Sequence, residues 1–257
     1  MDASWSRSLK ITLRACRRSE IPAIVTLTNS AFAKSELQLR LTPGADKYPE
    51  NLYNYSILKY RKRLVEKGMR LMLAEDADTG ELVGFAVWQI SGDCTLAKQW
   101  AREEAWWLPV ERQLLDLEDK YFRYVTNRSI DYCFRDELIE HMHKNFDDLS
   151  ACLHLVVLTV PSKHERKGIG RAMVRWGLDL AREEGLPVGL ESTLAGKNLY
   201  DAENFKIFKF NTLGEGTPSK LTIPVMLWES ENGKWLVEDG SGYWVVKTAA
   251  YGQAVRS

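Results

Sequence analysis

Between Lys163 and Arg171 the chain reads KHERKGIGR, which sets four cations (Lys163, Arg166, Lys167 and Arg171) around two glycines, Gly168 and Gly170. Glycine removes the side chain that would hold an anion off the backbone, and the cations raise the local potential. A helix starting here would also present unpaired backbone N–H groups and the positive end of its dipole. That combination suits a pyrophosphate, although a G-x-G pair also serves simply to turn a chain. Two phosphate-binding patterns do not fit. No G-x-x-x-x-G-K followed by Ser or Thr occurs, and Met173 stands where a dinucleotide fingerprint has its third glycine.

The flanking segments say how such a turn would be held. LHLVVLTV, residues 153–160, is a nearly continuous apolar run of strand length, as expected for a central strand covered on both faces. Ile169, Met173, Trp176 and Leu180 recur at helical intervals, and LPVGLEST resumes strand character after a break at Gly185 to Pro187. A strand, helix, strand unit is therefore predicted around the turn. Upstream, KITLRAC alternates as a half-buried strand, and the next segment places Ile21, Ile24, Leu27 and Ala31 on one helical face. The loop LTPGADKYPE leads to a second helix anchored by Leu58, Leu64 and Val65. RLMLAE and ELVGFAVWQI flank DADTG as a hairpin. Downstream come a short helix near Asn198 to Glu203, the strands KIFKFNTL and LTIPVMLWE, and a tail rich in Gly, Trp and Tyr.

Residues 91–150 have a different texture. Val110, Leu114, Leu117, Tyr121 and Val125 share one helical face, and Ile130, Phe134, Leu138, Met142 and Phe146 share another, which predicts an inserted helical hairpin. Its approach carries Trp100, Trp106 and Trp107, expected as core residues, with a substrate-cavity lining as the alternative.

The string Glu165-Arg166-Lys167-Gly168-Ile169-Gly170 resembles the acetyl-coenzyme A signature of the GNAT superfamily of N-acetyltransferases, in which a strand ends in a Gln/Arg-x-x-Gly-x-Gly/Ala turn. Glu165 departs from the first position of that pattern, where a carboxylate facing phosphate would oppose binding unless turned away. LESTLAGKNLYDAENFKIF is similar to the closing motif of the same superfamily through Ala195, Gly196, Leu199, Tyr200 and Phe205. Asn204 replaces the usual glycine, and asparagine also tolerates left-handed backbone angles. The resemblance implies an α/β (α+β) fold with a mixed, mostly antiparallel central sheet flanked by helices. It covers most of a single domain spanning residues 1–257, with a helical insertion at about 92–150 and a C-terminal extension from about 230 lying outside the minimal fold.

It also implies acetyl-CoA as cosubstrate, held by Leu158, Thr159, Val160, the turn Glu165, Arg166, Lys167, Gly168, Ile169, Gly170 and Arg171, and Asn198. Tyr200 falls at the superfamily's general-acid position, and a phenol of reference pKa ~10 can donate to a departing thiolate. The backbone near Leu158 to Val160 would meet the oxyanion. For the base, three possibilities stand open. His154 lies six residues before Val160, where the histone-acetylating branch carries its glutamate, and parity would put it on the face of Val156, Leu158 and Val160; it could equally be a satisfied core histidine. Glu191 ends the next strand, and a water chain needs no dedicated base. The acceptor expected is a small amine. A coenzyme-binding protein without catalysis, or an enzyme acting on a protein N-terminus or lysine, are the alternatives.

Composition narrows the partners. With 35 Lys plus Arg against 35 Asp plus Glu, no basic stripe offers the phosphate neutralisation that nucleic acid demands. Cys16, Cys94, Cys133 and Cys152 form no C-x-x-C pair, and His141 and His143 diverge on a helix, so no metal is expected. MDASWSRSLKITLRACRRS lacks the apolar centre of a signal peptide, and no run approaches the roughly 20 apolar residues of a membrane helix. A cytoplasmic protein is therefore expected, in which the glycosylation-type triplets at Asn54 and Asn127 would carry no weight.

Overall fold

The apolar run predicted as a central strand is central because sheet and helices cover it from both sides. In the computed structural model, which describes residues 10–126, 129–215, 220–231, 234–240 and 243–247, this run is β4 (Ala151–Thr159). Asn127, with the residue after it, and the first nine residues lie outside the described residues. Before β4 come β1 (Ile11–Ala15), α1 (Ile21–Phe32), α2 (Glu36–Leu41), α3 (Pro49–Val65), β2 (Met69–Asp76), β3 (Leu82–Gly92), α4 (Thr95–Arg102), α5 (Leu108–Thr126) and α6 (Tyr132–Lys144). After it come α7 (Ile169–Glu184), β5 (Val188–Glu191), α8 (Lys197–Asp201), β6 (Lys206–Leu213), β7 (Leu221–Trp228), β8 (Leu236–Glu238) and β9 (Trp244–Val246).

Seven strands form one sheet in the order β1-β2-β3-β4-β5-β7-β6, and every neighbouring pair is antiparallel except β4 with β5. The parallel pair follows from connecting β4 to β5 through α7, since parallel neighbours need a crossover. Three groups of side chains cover the sheet. α7 buries Met173, Val174 and Leu178 against Trp88, Leu153, Leu155 and Leu190 on one face. On the other face, Ile24 and Val25 of α1 and Tyr60 of α3 cover Leu71, Phe85 and Val87. Beyond them, Phe146, Leu149 and the β8–β9 ribbon cover Cys152, Val225 and Leu227.

The helical stretch between β3 and β4 is present, but its packing differs from the expectation. Val110, Leu114, Leu117, Tyr121 and Val125 are exposed, and α5 instead packs through Leu108, Leu115 and Phe122 onto Leu58 and Val65 of α3. α5 has apolar side chains on two opposite sides, and periodicity alone does not say which is buried. Ion pairs to α3 fix the choice: Arg61 meets Glu118 at 2.7 Å, and Lys62 meets Asp116 and Asp119 at 2.9 and 3.0 Å. Trp100 is core as expected, whereas Trp106 and Trp107 are 85% and 50% exposed. In α1 the buried face runs through Ile21, Ile24, Val25 and Thr28, and Ala31 is exposed.

One glycine sets how closely α7 approaches the sheet. A Cβ on Gly177 would lie 2.2 Å from Cη2 of Trp88, whose indole is fully buried against the helix. Glycine is unfavourable inside a helix, yet here it lets the largest core side chain pass under the backbone. Gly177→Ala is expected to destabilise the protein by ~2 kcal/mol through overpacking, despite the gain in helix propensity; a urea midpoint equal to or above that of the wild type would contradict this packing.

Candidate active site

Pro161 follows β4 and, lacking an N–H, cannot extend the ladder. The chain then makes a short 3-10 turn over Ser162–His164, with Arg166 at φ 63° and Gly168 at φ 82°, before α7 begins at Ile169. Gly168 thus occupies the left-handed region that an ordinary side chain resists. A Cβ there would touch nothing within 4 Å, so the space over the turn is open. No side chain among the described residues caps α7, which leaves the N–H groups of its first turn free to meet an anion. Lys163, Glu165, Arg166 and Lys167 are all exposed around this cradle. Residue 165 is extended, at φ −58° and ψ 155°, and its carboxylate forms no ion pair among the described residues. Arg171 is less free than its position suggests. Its Nε lies 2.9 Å from Glu203, which also takes Arg175 at 3.0 Å. The open cradle and its cations fit a pyrophosphate.

Gly170 brings three elements together. A Cβ at this position would stand 3.3 Å from Leu199 and 3.7 Å from both Leu158 and Val160, so the end of β4, the start of α7 and α8 converge at one point. Beside this point the sheet parts. Leu153, His154 and Leu155 pair with Val188, Gly189 and Leu190, and there the β4–β5 ladder stops. Val157 to Thr159 continue along β3, while Glu191 pairs with Val225 of β7. The two strands therefore diverge beyond Leu155 and Leu190, and Leu158, Thr159 and Val160 border the gap.

Tyr200, on α8, sits with the side chains on the α7 face of this gap and meets the ring of Phe205 at 5.7 Å, edge to face. Asn204 adopts φ 66°, the left-handed turn that a glycine would supply, and this brings Phe205 back against the tyrosine. Burial pushes the Tyr200 phenol up, which keeps its proton in place at neutral pH. Gly196 leaves room for the ring, since a Cβ would come within 3.2 Å of Cε2. Asn198 is exposed on the same short helix.

His154 and Glu191, set apart in the sequence as rival bases, meet in the structure. His154 Nε2 and Glu191 Oε2 are 2.7 Å apart, and both side chains are buried. The expected face is wrong, however. Val87 pairs with Val157 and Trp88 with Leu155, so Val156 is an extra residue in β4, and a one-residue bulge reverses the alternation beyond it. Leu158 and Val160 consequently pack on the α7 side with Leu153 and Leu155, and His154 faces the opposite side. Two further residues complete the pair. Asn145 Nδ2 donates to Glu191 Oε1 at 2.6 Å, and the Phe146 ring lies 5.0 Å from the imidazole. Phe146 fits because residue 189 is glycine, where a Cβ would stand 2.4 Å from the ring. Asn145 was not foreseen, because it follows α6 in the chain and its partner lies 46 positions on. The asparagine-aromatic pair next to a strand start was the available signal.

Among the described residues no cluster of three or more His, Cys, Asp or Glu is placed to hold a metal, and no helix is long and apolar enough to cross a membrane. No protein-family profile matches the chain. A curated protein of the fungus Stachybotrys chartarum, named acetyltransferase, is 25% identical over 228 residues, covering 85% of this chain and 91% of its own length. A crystal structure described as histone acetyltransferase HPA2 and related acetyltransferase, from Corynebacterium glutamicum, superposes with a TM-score of 0.55 at 18% identity. That match covers 86% of this chain and 96% of the other. With its parted sheet and open helix start, the chain thus has the fold of the Corynebacterium acetyltransferase and is similar along most of its length to the fungal one.

Proposed function

We propose that the chain moves the acetyl group of acetyl-CoA to the amine of a small molecule by direct attack of the amine on the thioester. The observation that carries this reading is the gap between β4 and β5, which has a protonated phenol on one face of the sheet and a buried His154–Glu191 pair on the other. The coenzyme supplies an activated acyl group. The cradle over residues 166–171 holds its pyrophosphate, the exposed edge of β4 from Leu158 to Val160 takes its arm, and Asn198 lies alongside.

Each proton then has a route. With its Nε2–H donated to Glu191, His154 keeps Nδ1 as the atom that accepts the proton lost by the attacking amine. Backbone N–H groups near Leu158 to Val160 stabilise the charge that develops on the carbonyl oxygen. Tyr200 gives its proton to the sulfur as the carbon–sulfur bond breaks, and recovers one from water afterwards. α6 and the segment carrying Asn145 and Phe146 lie over the face bearing His154, which favours a compact acceptor over an extended peptide. The domain is read as one unit with this insertion serving as the acceptor-side wall. The four free thiols suit a cytoplasmic setting.

The direct test is release of free thiol from acetyl-CoA across a panel of amines, amino acids and polyamines; binding of the coenzyme without acceptor-dependent thiol release would reject catalysis. Tyr200→Phe is expected to lower turnover about 10²-fold while coenzyme affinity measured by calorimetry stays close to that of the wild type. An unchanged rate would remove the phenol from the reaction. For the buried pair, His154→Gln and Glu191→Gln should each reduce kcat/KM by about 10²-fold, and the double variant should be scarcely worse than either. Fully additive losses would show two independent roles rather than one proton-accepting unit.

A further inference from the structure

α3 carries four cations close together, and they divide into two kinds. Arg61 and Lys62 are matched by carboxylates of α5, whereas Lys59 and Arg63 have no carboxylate partner among the described residues. These two face aromatic rings instead. Lys59 Nζ lies 4.9 Å from the centre of Tyr60 and 5.7 Å from that of Tyr55, and Arg63 Cζ lies 5.6 Å from Tyr60. Arg63 Nη1 is buried without a hydrogen-bond partner. The pair stands one helical turn apart, where like charges repel. Burial first, and Arg63 second, push the Lys59 ammonium down to about 7. An unmatched, partly desolvated pair of cations is unfavourable in the folded chain, and Arg61 and Lys62, between them in the same helix, show how readily such charges are matched.

Their place explains them. Tyr60 meets Phe85 at 5.3 Å, and both belong to the cluster that includes Val156 and Val157, where β4 leaves β5. Lys59 and Arg63 therefore stand over the same face of the sheet as His154. α6 closes the other side, with Tyr132 meeting Tyr55 at 6.4 Å. More unmet polar groups lie around α6: Arg40 Nη1, whose guanidinium stacks 4.6 Å from Phe134, the free Oδ1 of Asn145, and both side-chain atoms of Asn211. Asn211 is on the face of β6 that turns Leu213 toward Phe134. The carboxylates on this side are already taken: Glu191 by His154 and Asn145, Glu137 by the Gly214 N–H, and Asp119 by Lys62 and Arg135. The polar atoms left open are therefore cationic or amide groups.

We propose that Lys59 and Arg63 bind an oxyanion on the acceptor, so that the substrate is an amine that also bears a carboxylate or phosphonate group. The proposal rests on an amine being the acceptor. A polycation would meet repulsion here, and a neutral amine would leave both charges unmatched. The guanidinium offers paired donors to a planar oxyanion and the ammonium a point charge beside it.

The test compares an amino acid with its methyl ester, its decarboxylated amine and the matching aminophosphonate, across several side chains, as acceptors for the wild type, Lys59→Met, Arg63→Met and the double variant. The wild type is expected to favour the acid or the phosphonate over the ester by at least about tenfold in kcat/KM; which oxyanion ranks first identifies the source. In the double variant the preference should vanish, mainly through a higher KM, and Lys59→Arg should retain it. An ester used as well as the acid, or a preference that survives in the double variant, overturns the proposal. Should no amine release thiol although the coenzyme binds, the acetyl-transfer reading fails first. The anion site is then judged alone by thermal shifts with the N-acetyl amino acid and the N-acetyl aminophosphonate: stabilisation of the wild type but not the double variant upholds it, and no stabilisation of either overturns it. Unfolding midpoints of the unliganded variants at or above the wild type are expected, since a repulsion is removed; a large fall in both single variants would instead make the pair structural and overturn the proposal.

Discussion

Everything at the site depends on how few residues join β4 to β5. Three pairs, from Leu153–Val188 to Leu155–Leu190, hold the halves of the sheet together, and beyond them each strand follows its outer neighbour. A continuous ladder would leave no gap, and with no pairing at all the halves could drift. The extra residue at Val156 is part of the same device, because a bulge bends a strand and increases its twist. It also reverses the alternation, so that Leu158 and Val160 support α7 while His154 turns to the other face. One insertion in the register thus bends the strand at the gap and sets His154 and Leu158 on opposite faces of the sheet.

The glycines beside this gap act by absence of bulk. Gly177 lets Trp88 lie under α7, Gly170 lets α7 approach Leu199 and the end of β4, and Gly189 lets Phe146 lie against His154. Only Gly168 serves mainly through its backbone angle. The close packing that these positions permit carries the anion cradle, the tyrosine helix and the histidine as one rigid set, and catalytic geometry tolerates little looseness.

Local patterns carried much of this into the sequence. The strand before the turn, the helix after it, the left-handed role of Asn204 and the early hairpin are written in runs of a few residues, where apolar spacing and turn chemistry act directly. What could not be read depends on contacts between distant segments. The face of His154 was misjudged because a bulge is a property of two paired strands and leaves no trace in the alternation of one. Asn145 was invisible as a site residue because its partner stands on another strand. α5 shows the limit of periodicity in another way. Its stripe from Val110 to Val125 is as regular as any core helix, yet the side through Leu115 is the one buried, because α3 offers both an apolar seat and two cations, Arg61 and Lys62, that meet three carboxylates of α5.

The unmet polar groups beside the two faces of the sheet differ in kind. On the α7 face the open donors include the first N–H groups of a helix, which water can satisfy, beside the buried indole N–H of Trp88 under α7. On the opposite face they are side chains withdrawn from water: Arg40, Arg63, Asn145 and Asn211. Helix N–H groups are inexpensive to keep open, so the turn before α7 places few demands on the remainder of the fold. The withdrawn side chains are unfavourable whenever nothing occupies the space, and they persist only because α1, α3 and α6 are anchored elsewhere, by Tyr60 on Phe85, Ile24 in the core and Phe134 against Leu213. In the proposed reaction, selectivity for the acceptor would be drawn from stability stored in neighbouring packing, whereas grip on the coenzyme would come from the backbone and need little such support.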